Sequence, residues 1–291
     1  FATNGDIASR TGKKRESGIK TLLAVVWDQD CHSPTAPEVV PHLLAWLPSV
    51  SPKLQARMVS DLWEMAVPPG SVSKLKHQPW WSECEPIEQE TTAAICAGLG
   101  EIAALAGSDN RTTRKHVAAL LGWLGDDAEA LTPLLADRDA KVRASAELAR
   151  GVLAAREGSR WVPENARGAL GKAVKTCIEA LIGEGDAGAL MDVLSETTLA
   201  KSGLPHERGD LRVVALHALM PLAGAQREIF EQLMRSLPEG FAQTILRAFV
   251  VRTPPHQGEW STNGGRLDYA EGLRFELRDS CSLDKRGRHI L

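Results

Sequence analysis

Apolar residues recur at helical spacing along most of the chain, and Leu134–Leu153 (LLADRDAKVRASAELARGVL) shows the pattern most clearly. An apolar helix end leads into an Asp-rich turn, then Val142-Arg143, then small and apolar residues on one helical face. The same period predicts helices over 16–28, with Ile19, Leu22, Leu23, Val26 and Trp27 inward, and over 37–47 and 52–66. Pro37 falls in a first turn, where its missing N–H costs nothing. The short turn Pro48–Ser51 predicts that its two flanking helices pack antiparallel. Four prolines and a glycine break the chain over 67–86. Further helices are predicted over 87–106, 111–124, 127–136, 140–155, 165–182, 186–200, 210–223, 226–236 and 239–251. From residue 252 the period is lost, and Thr262–Gly265 carries a hairpin-type turn signal. The expected organisation is a polar segment 1–15, a helical repeat domain 16–251 and an irregular extension 252–291, either a cap on the last helices or a partly ordered tail.

The predicted helices align on one arginine. Arg114 precedes Val117, Leu120 and Leu121; Arg143 precedes Ala146 and Ala149; Arg212 precedes Ala215, Ala218 and Leu219; Ala56-Arg57 is a weaker member. Small residues let neighbouring helices approach closely. The Asp before each helix caps it and meets the positive end of its dipole. The arginine can bond a turn carboxylate of an adjacent unit. Spacings of roughly 30 residues, or about twice that, suit a short helical repeat that buries its apolar face only by stacking. The expected fold class is therefore an all-α superhelix.

These motifs resemble HEAT repeats of the short, phycobilisome-lyase-like kind. More narrowly, the chain is similar to bacterial HEAT-repeat proteins of actinomycete type, whose function is mostly unassigned. In that group a Trp-His-Gln-Gly-Thr segment precedes an Ala-Val-Pro-Phe-Leu helix. Trp27, Gln29, Val40, Pro41 and Leu43 keep the pattern, while Asp28, Asp30, Cys31 and His42 depart from it. The likeness covers about residues 20–155 and, more weakly, 205–250. It implies a HEAT-like solenoid and a curved face that covers a partner.

Composition narrows the partner only slightly. Ala and Leu dominate over β-branched and aromatic residues, which favours helix. A net charge of −3 gives no reason to expect a polyanion. The five cysteines are scattered without metal-ligand spacing, which fits buried thiols in a reducing cytoplasm. No apolar run approaches the roughly 20 residues of a membrane span. The basic opening around Lys13-Lys14-Arg15 lacks the apolar core of a signal peptide and reads as a solvated arm. The missing initiating Met leads us to expect a start within a longer product or after processing.

Candidate chemistry is sparse. Gly168–Lys172 has the wrong spacing for a P-loop, and no Gly-x-Ser-x-Gly or His-Glu-x-x-His occurs. His206-Glu207 is similar to one His-Glu pair of HEAT-repeat iron hydroxylases, but such a site needs several pairs. It reads as polar loop and helix start. Asp28, Asp30, Cys31 and His32 read as a solvated turn, so no metal or cofactor is expected. Trp80-Trp81, in a Pro-bounded loop, is a candidate partner contact, since Trp is enriched at interface hot spots. Trp123 is expected to pack on the next unit. Lys115 and Lys141, near the starts of successive helices, are the other candidate contacts. The expected function is a non-catalytic, protein-binding scaffold or adaptor, of immunity or regulatory type. One alternative is a nucleic-acid-binding protein resembling HEAT-like alkylpurine DNA glycosylases, using Arg111, Arg114, Lys115, Lys141 and Arg143. Another is a lyase-like protein that holds a small cofactor. A specific site is expected where the repeat fails: Gln29–Thr35, Trp80-Trp81, or the tail from Arg252.

Overall fold

The computed structural model describes residues 12–28, 31–67, 86–163 and 166–223. Trp80, Trp81, the helices predicted beyond 223 and the tail from 252 lie outside the described residues. The described part is all-helical apart from one two-residue pairing. Its helices are α1 (Gly12–Val26), α2 (Ala36–Trp46), α3 (Pro52–Ala66), α4 (Pro86–Ala97), α5 (Leu99–Ala103), α6 (Arg111–Leu124), α7 (Thr132–Leu135), α8 (Ala140–Glu157), α9 (Gly168–Leu181), α10 (Ala187–Ser195) and α11 (Leu211–Ala223). Between α1 and α2, β1 (Trp27–Asp28) pairs antiparallel with β2 (Cys31–His32). Among the described residues, no helix is long and apolar enough to cross a membrane.

Three predicted helices are shorter than their apolar period, each for a local reason. The helix expected over 87–106 breaks at Gly98 and ends in a 3-10 turn, Ala104–Gly107. A Cβ at Gly98 would lie 2.3 Å from the Leu44 side chain, so α2 packs against bare backbone there. The helix expected over 127–136 is a 3-10 turn, Glu129–Leu131, running into α7. Asp127 draws the Glu129 N–H to its own carboxylate at 2.8 Å, which competes with a helix start. The helix expected over 186–200 stops at Ser195, because the Glu196 carboxylate accepts the Thr198 N–H at 3.0 Å and starts a new 3-10 turn, Thr197–Lys201.

Side-chain caps form at three helix starts, while α3 and α9 begin without one. Asn110 accepts the Thr112 N–H at 2.8 Å, and Asp139 accepts the N–H groups of Lys141 and Val142 at 2.8 and 3.2 Å. Asp186 does the same for Ala189. Each satisfies an orphan donor and meets the positive helix end.

Helices α3, α6, α8 and α9 lie side by side and run parallel. At one end, Asn110 before α6 donates to the Pro52 carbonyl of α3, and Arg111 of α6 faces Asp139 before α8. Midway, the Ser145 hydroxyl of α8 donates to the Lys115 carbonyl of α6 at 2.8 Å. At the other end, Arg156 of α8 donates to the carbonyls of Gly122, Trp123 and Gly125, where α6 leaves its last acceptors unpaired. The close approaches use glycine. A Cβ at Gly122 would meet Ala149 Cβ and its carbonyl oxygen at 2.5 Å, and one at Gly151 would meet Ile178 at 2.5 Å. The sequence offset is the same in both pairs, so α8 meets α9 in the way α6 meets α8. On the other side of the row, α2 packs on α4, and α7 packs on α8.

The turn between α7 and α8 is fixed by a buried ion pair. Arg114 donates to Asp137 from Nε at 2.6 Å and from a terminal nitrogen at 3.1 Å, and also to the Ser108 carbonyl at 2.6 Å. Both side chains are under a tenth exposed. Burial pushes the Asp137 carboxyl up, but the bonds from Arg114 and from the Asp139 N–H outweigh it and hold it below the usual range. Arg143 donates instead to the Asp137 and Arg138 carbonyls, and Arg212 pairs with Asp210 in the turn before its own helix.

Two substitutions test this packing. Gly122→Val should lower unfolding free energy by about 1–3 kcal/mol, because the added carbons meet backbone that cannot retreat. Arg114→Met should lower it by about 3–5 kcal/mol, since it strands a buried carboxylate. Urea unfolding followed by circular dichroism measures both.

Candidate functional site

The polar and aromatic groups left over from the packing converge on one face of α3, α6 and α8. The segment 202–209 lies across it. Its base is closed by Ser202, whose N–H and hydroxyl both donate to the Gly209 carbonyl, at 2.9 and 2.7 Å. Gly203 and Gly209 adopt positive φ angles of 75° and 91°, and Glu207 does so at 48°. The first two are natural for glycine; the third is uncommon for a residue with a Cβ.

Side chains of α3 and α6 hold this segment to the helices. Trp63 of α3 donates its indole N–H to the Pro205 carbonyl at 3.2 Å. Lys115 of α6 donates to the Gly203 carbonyl. The His206 ring enters an aromatic cage, 5.1 Å from Trp63 and 6.2 Å from Trp123 between ring centroids. The two indoles themselves meet edge to face at 6.2 Å. His206 is 2% exposed, Trp63 4% and Trp123 1%.

Burial fixes the protonation states. It drives His206 down to about 3, and the nearby His116 adds to the effect. Neither His206 nitrogen has a hydrogen-bond partner among the described residues. Burial lowers His116 to about 4, against the opposing pull of its 2.8 Å bond to the Thr112 carbonyl. A carbonyl only accepts, so His116 carries its proton on Nδ1. Burial also lowers Lys115, helped by the charges of Lys141 and Arg111 and opposed by Asp139. At neutral pH the cage is therefore an uncharged slot with a cationic rim.

The structure brings some sequence candidates together and separates others. Lys115 and Lys141 converge on Gly203: a Cβ built there would lie 2.8 Å from the Lys141 ammonium. The Lys115 ammonium is half-buried and already bonded, whereas Lys141 is exposed. Trp123 packs back on Trp63 as well as under His206. His206, expected in a polar loop, is among the most buried polar groups; an apolar cage removes it from water. His32 also departs from its expected solvated turn. Its side chain is 4% exposed, its Nε2 donates to the Met65 carbonyl at 3.1 Å, and its ring stacks edge-on against Trp27 at 4.9 Å. Burial lowers its pKa, although the Glu88 carboxylate 3.9 Å away opposes this. Among the described residues, no group of three or more His, Cys, Asp or Glu is placed to hold a metal ion. Trp63 was not singled out from the sequence, since its position between Leu62 and Met65 looks like any core position.

A second concavity is an open groove of about 450 Å³ between α8 and α9, with Leu135, Ala144 and Leu170 as apolar walls and Arg143, Glu147 and Arg167 as charges. Burial raises the Glu147 carboxyl, and Arg143 opposes the shift.

No protein family, curated protein or solved structure matches the chain, so its functional reading rests on these residues.

Trp63→Phe tests the cage. It keeps an aromatic ring but leaves the buried Pro205 carbonyl without its donor. Unfolding free energy should fall by about 1–3 kcal/mol, read by denaturant titration.

Proposed function

We propose that this chain is a non-catalytic, HEAT-like helical-repeat scaffold that binds a protein partner along the face of α3, α6 and α8. The observation that carries this reading is the parallel row α3, α6, α8 and α9. The pairs α6–α8 and α8–α9 repeat the same close approach at the same offset, α6 and α8 have Asx-capped starts, and Arg114 and Arg143 tie down the turn before α8. A row built this way presents a broad surface from successive units, and such surfaces suit extended contact with a macromolecule. The buried polar groups of the row support the same reading. Arg114 and Arg156 complete turns and helix ends, Ser145 ties α8 to α6, and His116 bonds its own helix.

Affinity capture of the full chain from its own cells, followed by cross-linking, tests the proposal. The expected result is a stoichiometric protein partner whose cross-links fall on α3, α6 and α8. Recovery of no protein at stoichiometry, across low and moderate salt, would overturn it.

One observation favours a second reading, nucleic-acid binding. Arg111, Lys115 and Lys141 gather at the starts of α6 and α8, close enough that their charges act on one another. Contacts to phosphates would weaken steeply with salt. Duplex DNA binding at low salt, reduced by combined Lys115→Ala and Lys141→Ala, would support it; no binding at low salt removes it.

A further inference from the structure

The buried imidazole of His206 is the least satisfied polar group of the candidate site. It is 2% exposed, and both nitrogens lack a partner among the described residues. A buried group in that condition carries a desolvation penalty with nothing to offset it but ring packing. Among the described contacts that hold its segment to the helices are hydrogen bonds from Trp63 and Lys115 to main-chain carbonyls, and Leu204 of the segment is buried. Glu207, its next residue, sits at a φ of 48°. A closed loop base, Ser202 on Gly209, lets residues 202–209 move as one piece.

We propose that residues 202–209 form a displaceable latch over the face of α3 and α6, held shut by the neutral ring of His206 and released when that ring takes a proton.

The charged and titratable surroundings favour release over accommodation. From α6 the ring is faced by His116, which gains charge of the same sign in acid. Lys115 of α6 and Lys141 of α8 lie at Gly203, on the same segment, and are cations throughout the acid range. From α3 the facing group is the Trp63 indole. On the latch's own side, the Asp210 carboxylate is engaged by Arg212. An imidazolium in the cage thus loses its water and faces further cations, against which the two indoles offer only their rings.

The sign follows. A free histidine titrates near 6.5, while the caged ring is held down to about 3. The closed state is favoured in full above about pH 6.5. Below that, the open state binds the extra proton, and the open-to-closed ratio rises about tenfold per pH unit until the caged ring itself titrates. Opening bares Trp63, Trp123 and Lys115, whatever later binds there.

Hydrogen exchange on the full chain between pH 7 and pH 4.5, corrected for intrinsic rates, reads the latch directly. The Trp63 indole N–H, bonded to the Pro205 carbonyl across the latch contact, is the reporter. Its protection should fall about tenfold per pH unit below 6.5, while amides in the middle of α6 and α8 keep theirs. His206→Leu should flatten this slope, with His206→Phe as a second variant should the first fail to fold. Lys115→Ala should lower latch protection at every pH and leave the slope intact. His116→Gln should also retain the slope. The proposal is overturned by pH-independent protection in the parent chain, by a slope that survives His206→Leu or His206→Phe, by a slope lost on His116→Gln, or by parallel loss in α6 and α8. None of these readouts needs a partner, so their failure is separate from failure of the scaffold proposal.

Discussion

The Asp137 carboxylate is the fixed point from which the described structure can be followed. It takes two bonds from Arg114 at the start of α6 and one from the Asp139 N–H at the start of α8. Holding both in one turn sets the two helix starts level. With the starts level, Gly122 meets Ala149 and the far end of α6 meets Arg156. A buried pair of this kind contributes through geometry more than through net energy, because desolvation offsets much of the attraction. Its cost when broken is large for the same reason: the remaining charge has no water to return to.

The candidate site is a consequence of that alignment. Because α3, α6 and α8 run parallel and close together, Trp63, Trp123, Lys115 and Lys141 emerge on a common face. The chain then uses this face itself, laying Gly203, Pro205 and His206 across it. Lys115, a candidate partner contact in the sequence, is already engaged with a main-chain carbonyl, as is Trp63. The proposed polypeptide binding draws on this face, which already bonds backbone carbonyls and encloses a ring.

The helical core was legible because its signals are local. Asn110, Asp139 and Asp186 cap helices through donors two or three residues away, and the apolar positions of α3, α6 and α8 follow one period. Boundaries at Gly98, Asp127 and Glu196 were missed because apolar spacing continues through them while a side-chain bond or a close neighbour ends the helix. The candidate site was the least legible part. His206 sits among prolines, glycines and charges that mark a surface loop, and its cage is supplied by Trp63, far away in the sequence, in a position that looks like ordinary core.

By itself, then, the sequence determined the helical character of the described part and the Asx caps that start several of its helices. Propensity, period and capping act over a few residues, and the sequence displays them directly. Only the tertiary structure decided which arginine meets which turn, that Lys115 and Lys141 share one carbonyl's surroundings, and that His206 is buried rather than wet. Burial and ion pairing depend on residues far apart in the chain, and one imidazole titrates near 6.5 in water but near 3 inside two indoles.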